Sequence, residues 1–324
     1  MSDTTYTYAV AQIRALELSL LSAADIEQLV ACKSQAQCLQ LLAEKGWGGS
    51  EIPQEPEAIL QAERQKAWQT VRELVKDDAA VLDVLSYPDL FHNLKAAVKQ
   101  ACTKEAVPEI YVADCAITGE TMQQWLSEKD YDAFPENMRA AAREAFETLL
   151  HTGDGQLCDV IVDRAALVAI RQAGQAASEP ILRDYAESTV AVADIRIAAR
   201  GMKTGKNQEF LLRALAPCDA FVPENLAAAA LRGAQPLCDY LESAGYGEAG
   251  QALRESPAAF ERWCDNRIIE TIEPQKRNSF TAGPLIAYLL GRENEIKTVR
   301  IILTGKHNGL PEAEIRERVR KMYG

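Results

Sequence analysis

The chain of 324 residues is poor in aromatic residues, in histidine and in long apolar stretches. Aromatic residues make up 6% of the sequence, and the three histidines are His92, His151 and His307. No HExxH motif or other paired-histidine spacing occurs, so the sequence predicts no metal site. The longest apolar stretches, such as 283–291, are far shorter than the roughly 20 residues that cross a bilayer. We therefore expect no membrane span.

Paired cysteines and a leader segment are also lacking. No C-x-x-C motif is present, and a chain of this length needs no disulfides for stability. We therefore expect eight free thiols acting as small buried hydrophobes in a reducing compartment. They are Cys32, Cys38, Cys102, Cys115, Cys158, Cys218, Cys238 and Cys264. The start, MSDTTYTYAV, has neither the basic nor the apolar region of a signal peptide, which favours a cytoplasmic location.

Nucleotide-binding and nucleophile motifs are absent as well. The segment GMKTGKNQ (201–208) falls one residue short of a P-loop and has Asn where Ser or Thr is required. The segment LTGKHNGLP (303–311) lacks the first glycine of that motif. Both favour helix-ending glycines followed by a solvated lysine. The sequence predicts no catalytic residue and no cofactor-binding residue, although an enzyme of unknown type stays open.

What the chain does have is an excess of helix formers. Apolar residues make up 48%, and Ala, Leu, Glu, Gln, Lys and Arg dominate, so we expect an all-α protein. The balance of 35 basic against 47 acidic residues gives a net charge of −12. Such a surface repels nucleic-acid phosphates and anionic lipid headgroups. The sequence therefore predicts neither a nucleic-acid partner nor adhesion to lipid.

The last 33 residues reverse this sign. Residues 292–324 contain eight Lys or Arg and five Glu, a net charge of +3. One interpretation places these cations in the last turns of helices, where the helix dipole favours them. The other is a docking patch for an acidic protein partner.

A first internal repeat describes how helices end. Leu, three residues, Gly or Asp, then an aromatic residue occurs as Leu42–Gly46–Trp47, Leu126–Asp130–Tyr131 and Leu241–Gly245–Tyr246. In a Schellman ending, a left-handed residue closes the helix and the next residue packs back onto it. We expect three such endings, with the left-handed residue at Gly46, Asp130 and Gly245.

A second repeat places a cation after a polar and an aliphatic residue. It occurs as Gln12-Ile13-Arg14, Asn93-Leu94-Lys95, Asp194-Ile195-Arg196 and Thr298-Val299-Arg300. Each copy predicts a helix that buries its aliphatic residue and holds its cation at one edge. Starts of helices also recur, at Ser22, Pro223 and Pro311.

These repeats predict three similar helical domains around a pseudo-threefold axis. We place them at 1–86, 87–190 and 191–324, the last with the closing helices of the chain. The fourth cation helix has no aromatic ending after it, which favours closure of the arrangement over an open solenoid.

Three segments resemble the C subunit of the archaeal and bacterial V-type (A-type) ATPases, whose eukaryotic relative is the d subunit. They are YAVAQIRALE at the start, YPDLFHNLKAAVK in the middle and ENEIKTVRIILTGKHNGLPEAEIRERVRKMYG at the end. The matching positions are His92-Asn93-Leu94-Lys95, Val299-Arg300, Gly305-Lys306, Gly309-Leu310-Pro311 and Glu314-Ile315-Arg316. Thr298-Val299 and Asp194-Ile195 depart from the more usual Asn-Ile.

The resemblance implies a non-catalytic funnel or socket of three helical domains on the cytoplasmic face of a membrane rotor ring. The hollow of this funnel would receive the foot of the central-stalk subunits, and the protein would carry torque between stalk and ring. The candidate partner-binding residues are Arg14, His92, Asn93, Lys95, Arg196, Arg300, Lys306, Arg316 and Arg320. The alternative hypothesis is a helical-repeat adaptor unrelated to ATPases. Neither hypothesis selects H⁺ or Na⁺ as the transported ion.

Overall fold

The fold is helical throughout the part of the chain that the structure describes. The computed structural model describes residues 6–48, 55–75, 80–103 and 110–324, which form sixteen α-helices, two short 3-10 helices and no strand. The predicted all-α class is confirmed. The helices fall into two compact units, and the division into three similar domains stays a prediction.

Unit 1 comprises residues 1–81, 179–181 and 246–324. Its helices are α1 (Thr7–Glu17), α2 (Ala23–Ala31), α3 (Gln35–Glu44), α4 (Pro56–Val75), α13 (Gly247–Glu255), α14 (Pro257–Ile272), α15 (Gly283–His307) and α16 (Glu312–Arg318), with a 3-10 helix at Glu273–Arg277. Residues from both ends of the chain share one core. Ile26 and Leu42, for example, pack in the same cluster as Val299, Ile302 and Ile315.

Helix α15 runs through the centre of unit 1. Most of its 25 residues are buried, including the charged Arg292 and Glu295. These two side chains form a buried ion pair of 2.5 Å, and Glu295 also accepts a hydrogen bond from the backbone N–H of Leu21. The Arg292 guanidinium lies 5.7 Å from the centre of the Trp47 ring. The pair therefore fastens both the α1–α2 connection and the end of α3 to α15.

Unit 2 comprises residues 82–178 and 182–245. It contains nearly all of α5 (Ala80–Thr103), then α6 (Gly119–Glu128), α7 (Glu136–Thr152), α8 (Gly155–Ala176), most of α9 (Pro180–Lys203), α10 (Gln208–Ala214), α11 (Pro223–Arg232) and α12 (Ala234–Ser243), with a 3-10 helix at Tyr131–Ala133. One of its clusters packs α5 against α6, α7 and α8 around residues such as Leu94, Met122 and Phe146.

The first predicted helix ending is confirmed at α3. Gly46 has φ of +84°, and its N–H donates to Ala43 O at 2.9 Å. The N–H of Trp47 donates to Leu42 O at 3.0 Å, which completes the Schellman pair of bonds. The Trp47 side chain is buried, as expected. The predicted cap at Ser22 is also confirmed, because its hydroxyl accepts from Asp25 N at 3.2 Å.

The second ending is one residue away from its predicted position. Lys129 has φ of +58°, and Asp130 N donates to Trp125 O at 2.8 Å, so the prediction of a left-handed Asp130 is wrong. The shift allows Tyr131 to begin a 3-10 helix and to become buried. It also lets the Trp125 ring meet Phe134 edge to face at 5.0 Å.

The third ending has its left-handed residue at Gly245, as predicted, with φ of +84°. The N–H of Gly245 donates to Glu242 O at 3.0 Å. Leu241 is fully buried in unit 2. Tyr246 belongs to unit 1, where its ring meets Trp263 edge to face at 6.2 Å. Packing of Tyr246 onto Leu241 stays a prediction.

Candidate partner-binding residues

The aliphatic residue of each cation motif is buried, which confirms that part of the prediction. Each residue has a relative exposure of 0%: Ile13 on α1, Leu94 on α5, Ile195 on α9 and Val299 on α15. The cation that follows each one is half-buried, so it lies at the edge of the helix face that packs into the core. The motif therefore places four cations at the borders of buried surfaces.

The polar residue of the α5 motif, Asn93, is fully buried and holds a loop in place. Its amide donates to Val112 O at 2.9 Å and accepts from Val112 N at 2.8 Å. Both backbone groups of Val112 are thereby satisfied within unit 2. Asn93 was predicted as a partner-binding residue. In the structure, its side chain forms hydrogen bonds with a loop 19 residues further along the chain.

Asp194 occupies the same motif position on α9 and also holds a loop, a role that the sequence reasoning missed. Its Oδ1 accepts from Ala216 N at 3.0 Å, 22 residues further along the chain. The Cys218 thiol lies 3.9 Å from its Oδ2. Burial raises the pKa of this carboxyl to about 7, against the opposing effects of the Ala216 hydrogen bond and the Arg164 charge. The sequence feature that could have indicated this role is a charged residue, Asp194, between the apolar residues Ala193 and Ile195.

The neighbouring candidates on α5 and α9 differ in exposure. His92 is exposed, and its Nε2 lies 3.1 Å from Ile110 O. The Lys95 ammonium pairs with Asp163 on α8 at 2.5 Å. Arg196 is half-buried on α9. The structure thus places His92, Asn93 and Lys95 on one helix, with His92 the most exposed of the three.

Arg14 makes its contacts within unit 1. Its guanidinium donates to Gln275 O at 2.6 Å and to Asn278 O at 2.7 Å, and it pairs with Glu17 at 2.7 Å. These bonds fix the 3-10 helix after α14 against α1. The partners lie up to 264 residues away in sequence, so the sequence alone did not indicate this role.

The cations of the positive tail meet carboxylates and carbonyls of their own unit. Arg300 pairs with Glu57 at 2.7 Å, and Lys306 donates to Val30 O at 2.6 Å. Arg316 is exposed and pairs with both Glu27 and Glu312. Much of the net charge of +3 is therefore balanced inside unit 1.

Arg320 is the one tail candidate that is buried, with 8% exposure. Its guanidinium pairs with Asp265 on α14 at 2.7 Å. Lys297 pairs with the other oxygen of the same carboxylate, also at 2.7 Å. Two cations on one carboxylate form a network that joins α14, α15 and the end of the chain.

The structure corrects part of the prediction for the two segments that were compared with a P-loop, 201–208 and 303–311. Gly205 does end α9, with φ of +65°, as predicted. Lys206 is not a freely solvated lysine, because it donates to Gln156 at 2.6 Å and lies over the Phe210 ring at 4.7 Å. Gly305 lies inside α15, so its prediction as a helix-ending glycine is wrong; Gly309, with φ of +65°, ends that helix.

Several site classes find no support in the described ranges. All eight cysteines are free thiols; four of them are buried, as predicted, and the other four are half-buried. No group of three or more potential metal ligands occurs among the described residues. Within the same ranges, no helix combines the length and apolar character that crossing a bilayer requires.

The described residues thus define a class of protein: an all-α chain of repeated helical elements whose motif cations border buried surfaces. Residues 9–318 match the family described as the ATP synthase (C/AC39) subunit, and the chain belongs to that family. This agrees with the resemblance of the three sequence segments.

Three relatives are similar to the chain over nearly its whole length. The C subunit of the V-type sodium ATPase of Enterococcus hirae is 24% identical over 96% of this chain and 97% of its own. The C subunit of the V-type ATP synthase of Thermus thermophilus is 21% identical over 97% of this chain and 98% of its own. The C subunit of the A-type ATP synthase of Methanocaldococcus jannaschii is 22% identical over 96% of this chain and 85% of its own.

Proposed function

We propose that this chain is the non-catalytic central rotor connector of a V/A-type ion-translocating ATPase or ATP synthase. It links the central stalk to the membrane rotor ring and transmits torque between them. The observation that carries the proposal is the family match over residues 9–318, together with relatives of nearly equal length that are named as the C subunits of such machines. This membership decides against the alternative of an adaptor unrelated to ATPases.

The bonds inside each unit support the proposal that this protein transmits force. Transmission of torque needs a stiff body, and close-packed protein interiors have low compressibility. In unit 1, the buried Arg292–Glu295 pair and the Arg320–Asp265 pair join segments from distant parts of the sequence. In unit 2, Asn93 and Asp194 hold loops against their helices. Each of these bonds resists displacement of the segment that it holds.

The proposal also covers the arrangement of the helical domains and the location of the protein in the complex. Three similar helical domains would surround a hollow that receives the foot of the stalk, on the cytoplasmic face of the membrane. The partners would be central-stalk subunits and ring subunits, with no nucleic acid and no membrane span of this chain's own. The residues that stay candidates for contact with those partners are Arg14, His92, Asn93, Lys95, Arg196, Arg300, Lys306, Arg316 and Arg320.

Copurification tests this function. The full-length chain, tagged in its own host, should retain ring and stalk subunits of a rotary ATPase after mild detergent extraction. ATP hydrolysis by the isolated chain should stay at background, while hydrolysis by the whole complex should not. Retention of an unrelated set of proteins, with no ATPase subunit among them, would contradict the proposal.

A further inference from the structure

A groove of about 550 Å³ opens on unit 1 between the start of α14, the last turns of α15 and α16. Its wall is mainly apolar and includes Ala258, Ile301, Leu310 and Ile315. Gly305 allows α16 to come close to α15, because a Cβ at this position would lie 2.7 Å from Ile315 Cγ1. The groove is therefore a product of the Gly-Lys and Glu-x-Ile-Arg segments near the end of the chain.

The border of this groove is positive although the chain is acidic. Arg300, Arg318 and Arg320 line it, with Glu261 as the one acidic lining residue. Arg320 forms an ion pair with Asp265. Arg300 forms an exposed ion pair with Glu57, and exposed pairs of this kind contribute little to stability. Arg318 belongs to the positive tail, but it was not among the nine residues named as partner-binding candidates.

Arg318 is the exposed cation of this border. Its backbone carbonyl accepts a hydrogen bond from the Arg320 guanidinium, which fixes the chain at this point. Within the described ranges, no carboxylate lies within ion-pair distance of the Arg318 guanidinium, so its charge is available to a partner. An acidic group near Arg318 would gain an ion pair without breaking an existing one.

We infer that the groove binds the apolar face of an acidic amphipathic helix from a partner protein of the complex, an inference that rests on the proposed function. The groove is open to solvent along an apolar wall, with a volume of about 550 Å³. A helix places apolar anchors at i, i+3, i+4 and i+7 into such a groove, and acids beside the anchors would face Arg318 and Arg300. The positive border on a chain of net charge −12 gives the charge complementarity.

Two other anionic surfaces fit this groove less well. A lipid bilayer presents a broad surface to a narrow concave site, and the acidic chain as a whole is repelled by anionic headgroups. A nucleic acid is bound largely through polar and cationic contacts to phosphate, whereas this groove is walled by aliphatic carbon. An acidic helix uses both the apolar wall and the positive border.

The test compares three full-length variants with the wild type by quantifying the ATPase subunits that each retains. Arg318→Glu reverses the available charge, and Thr304→Trp fills the groove from an exposed position in its lining. Arg254→Glu is the matched control, because Arg254 is an exposed cation on α13 outside the groove. Arg318→Glu and Thr304→Trp should each weaken retention about tenfold, with the effect of Arg318→Glu decreasing at high salt. Arg254→Glu should retain partners as the wild type does.

A cross-link identifies the occupant. Benzoylphenylalanine in place of Asn308, a second exposed lining residue that the blocking variant leaves unchanged, should attach to a partner peptide with an apolar face and acidic flanks on illumination of the complex. Thermal melting and helix content of all variants should match the wild type, which separates lost binding from lost folding.

The outcomes separate the two proposals. If the wild type retains ATPase subunits but Arg318→Glu and Thr304→Trp retain them equally well, the groove inference is overturned and the proposed function stands. Cross-linking to lipid, to nucleic acid or to a basic segment also overturns the groove inference alone. If the wild type retains no ATPase subunit, both proposals fail.

Discussion

Replacing Asp194 by Asn should make the protein more stable above neutral pH. The Asp194 side chain is buried in unit 2, and burial raises the pKa of its carboxyl from 3.8 to about 7. The folded state therefore favours the protonated form, and its stability contribution is lost as the pH rises from 3.8 through 7. Asn keeps the acceptor for Ala216 N and never becomes charged.

The magnitude follows from the size of this shift. A change of one pKa unit corresponds to about 1.4 kcal/mol, so a raise from 3.8 to about 7 represents about 4 kcal/mol once the group is fully ionised. Between pH 5 and pH 8, the stability advantage of Asp194→Asn over the wild type should grow by about 2–3 kcal/mol. The advantage should stop growing above the folded-state pKa.

The assay is urea denaturation of both proteins at a series of pH values. The difference between the two proteins at each pH cancels the titration of all other groups. Asn93→Asp is the matched control, since it adds a carboxyl at the same motif position on α5 and removes the donor to Val112 O. That variant should lose stability as the pH rises. A difference between Asp194→Asn and the wild type that does not change with pH would refute the reasoning.

Three further changes test the packing. Gly305→Ala should destabilise unit 1 by about 1–3 kcal/mol, because the new Cβ would meet Ile315; an unchanged melting temperature would contradict this close approach. Leu241→Ala should cost about 2–5 kcal/mol from loss of a fully buried side chain, and a urea midpoint equal to that of the wild type would count against its burial. Arg320→Ala should cost about 1–3 kcal/mol by removing one partner of Asp265; assembly loss without any loss of stability would instead favour direct contact with a partner.

Periodic and local features were predictable from the sequence. The all-α class follows from composition, and the burial of Ile13, Leu94, Ile195 and Val299 follows from the spacing of the motif. The ending at Gly46 was predictable because its bonds join residues within one turn. The ending near Lys129 was misplaced, since the burial of the following aromatic residues decided between adjacent left-handed positions.

The use of the candidate cations was not predictable in the same way. Arg14, Lys306 and Arg320 reach partners that are 55 to 276 residues away, and no local pattern encodes such pairs. The sequence therefore indicated a positive tail, whereas the fold balances much of that charge within unit 1. Arg318, which the sequence did not single out, keeps its charge at the border of a groove because of how α16 packs on α15.

Rotation of this chain inside a working complex is the most direct test of its assignment to the rotor. A bead attached to the chain, in complexes immobilised through their catalytic head, can be followed under a microscope while ATP is added. The bead should turn in one direction, together with the ring, and should stop when ATP is removed. A bead that stays still in complexes that hydrolyse ATP and turn their ring would contradict the assignment of this chain to the rotor.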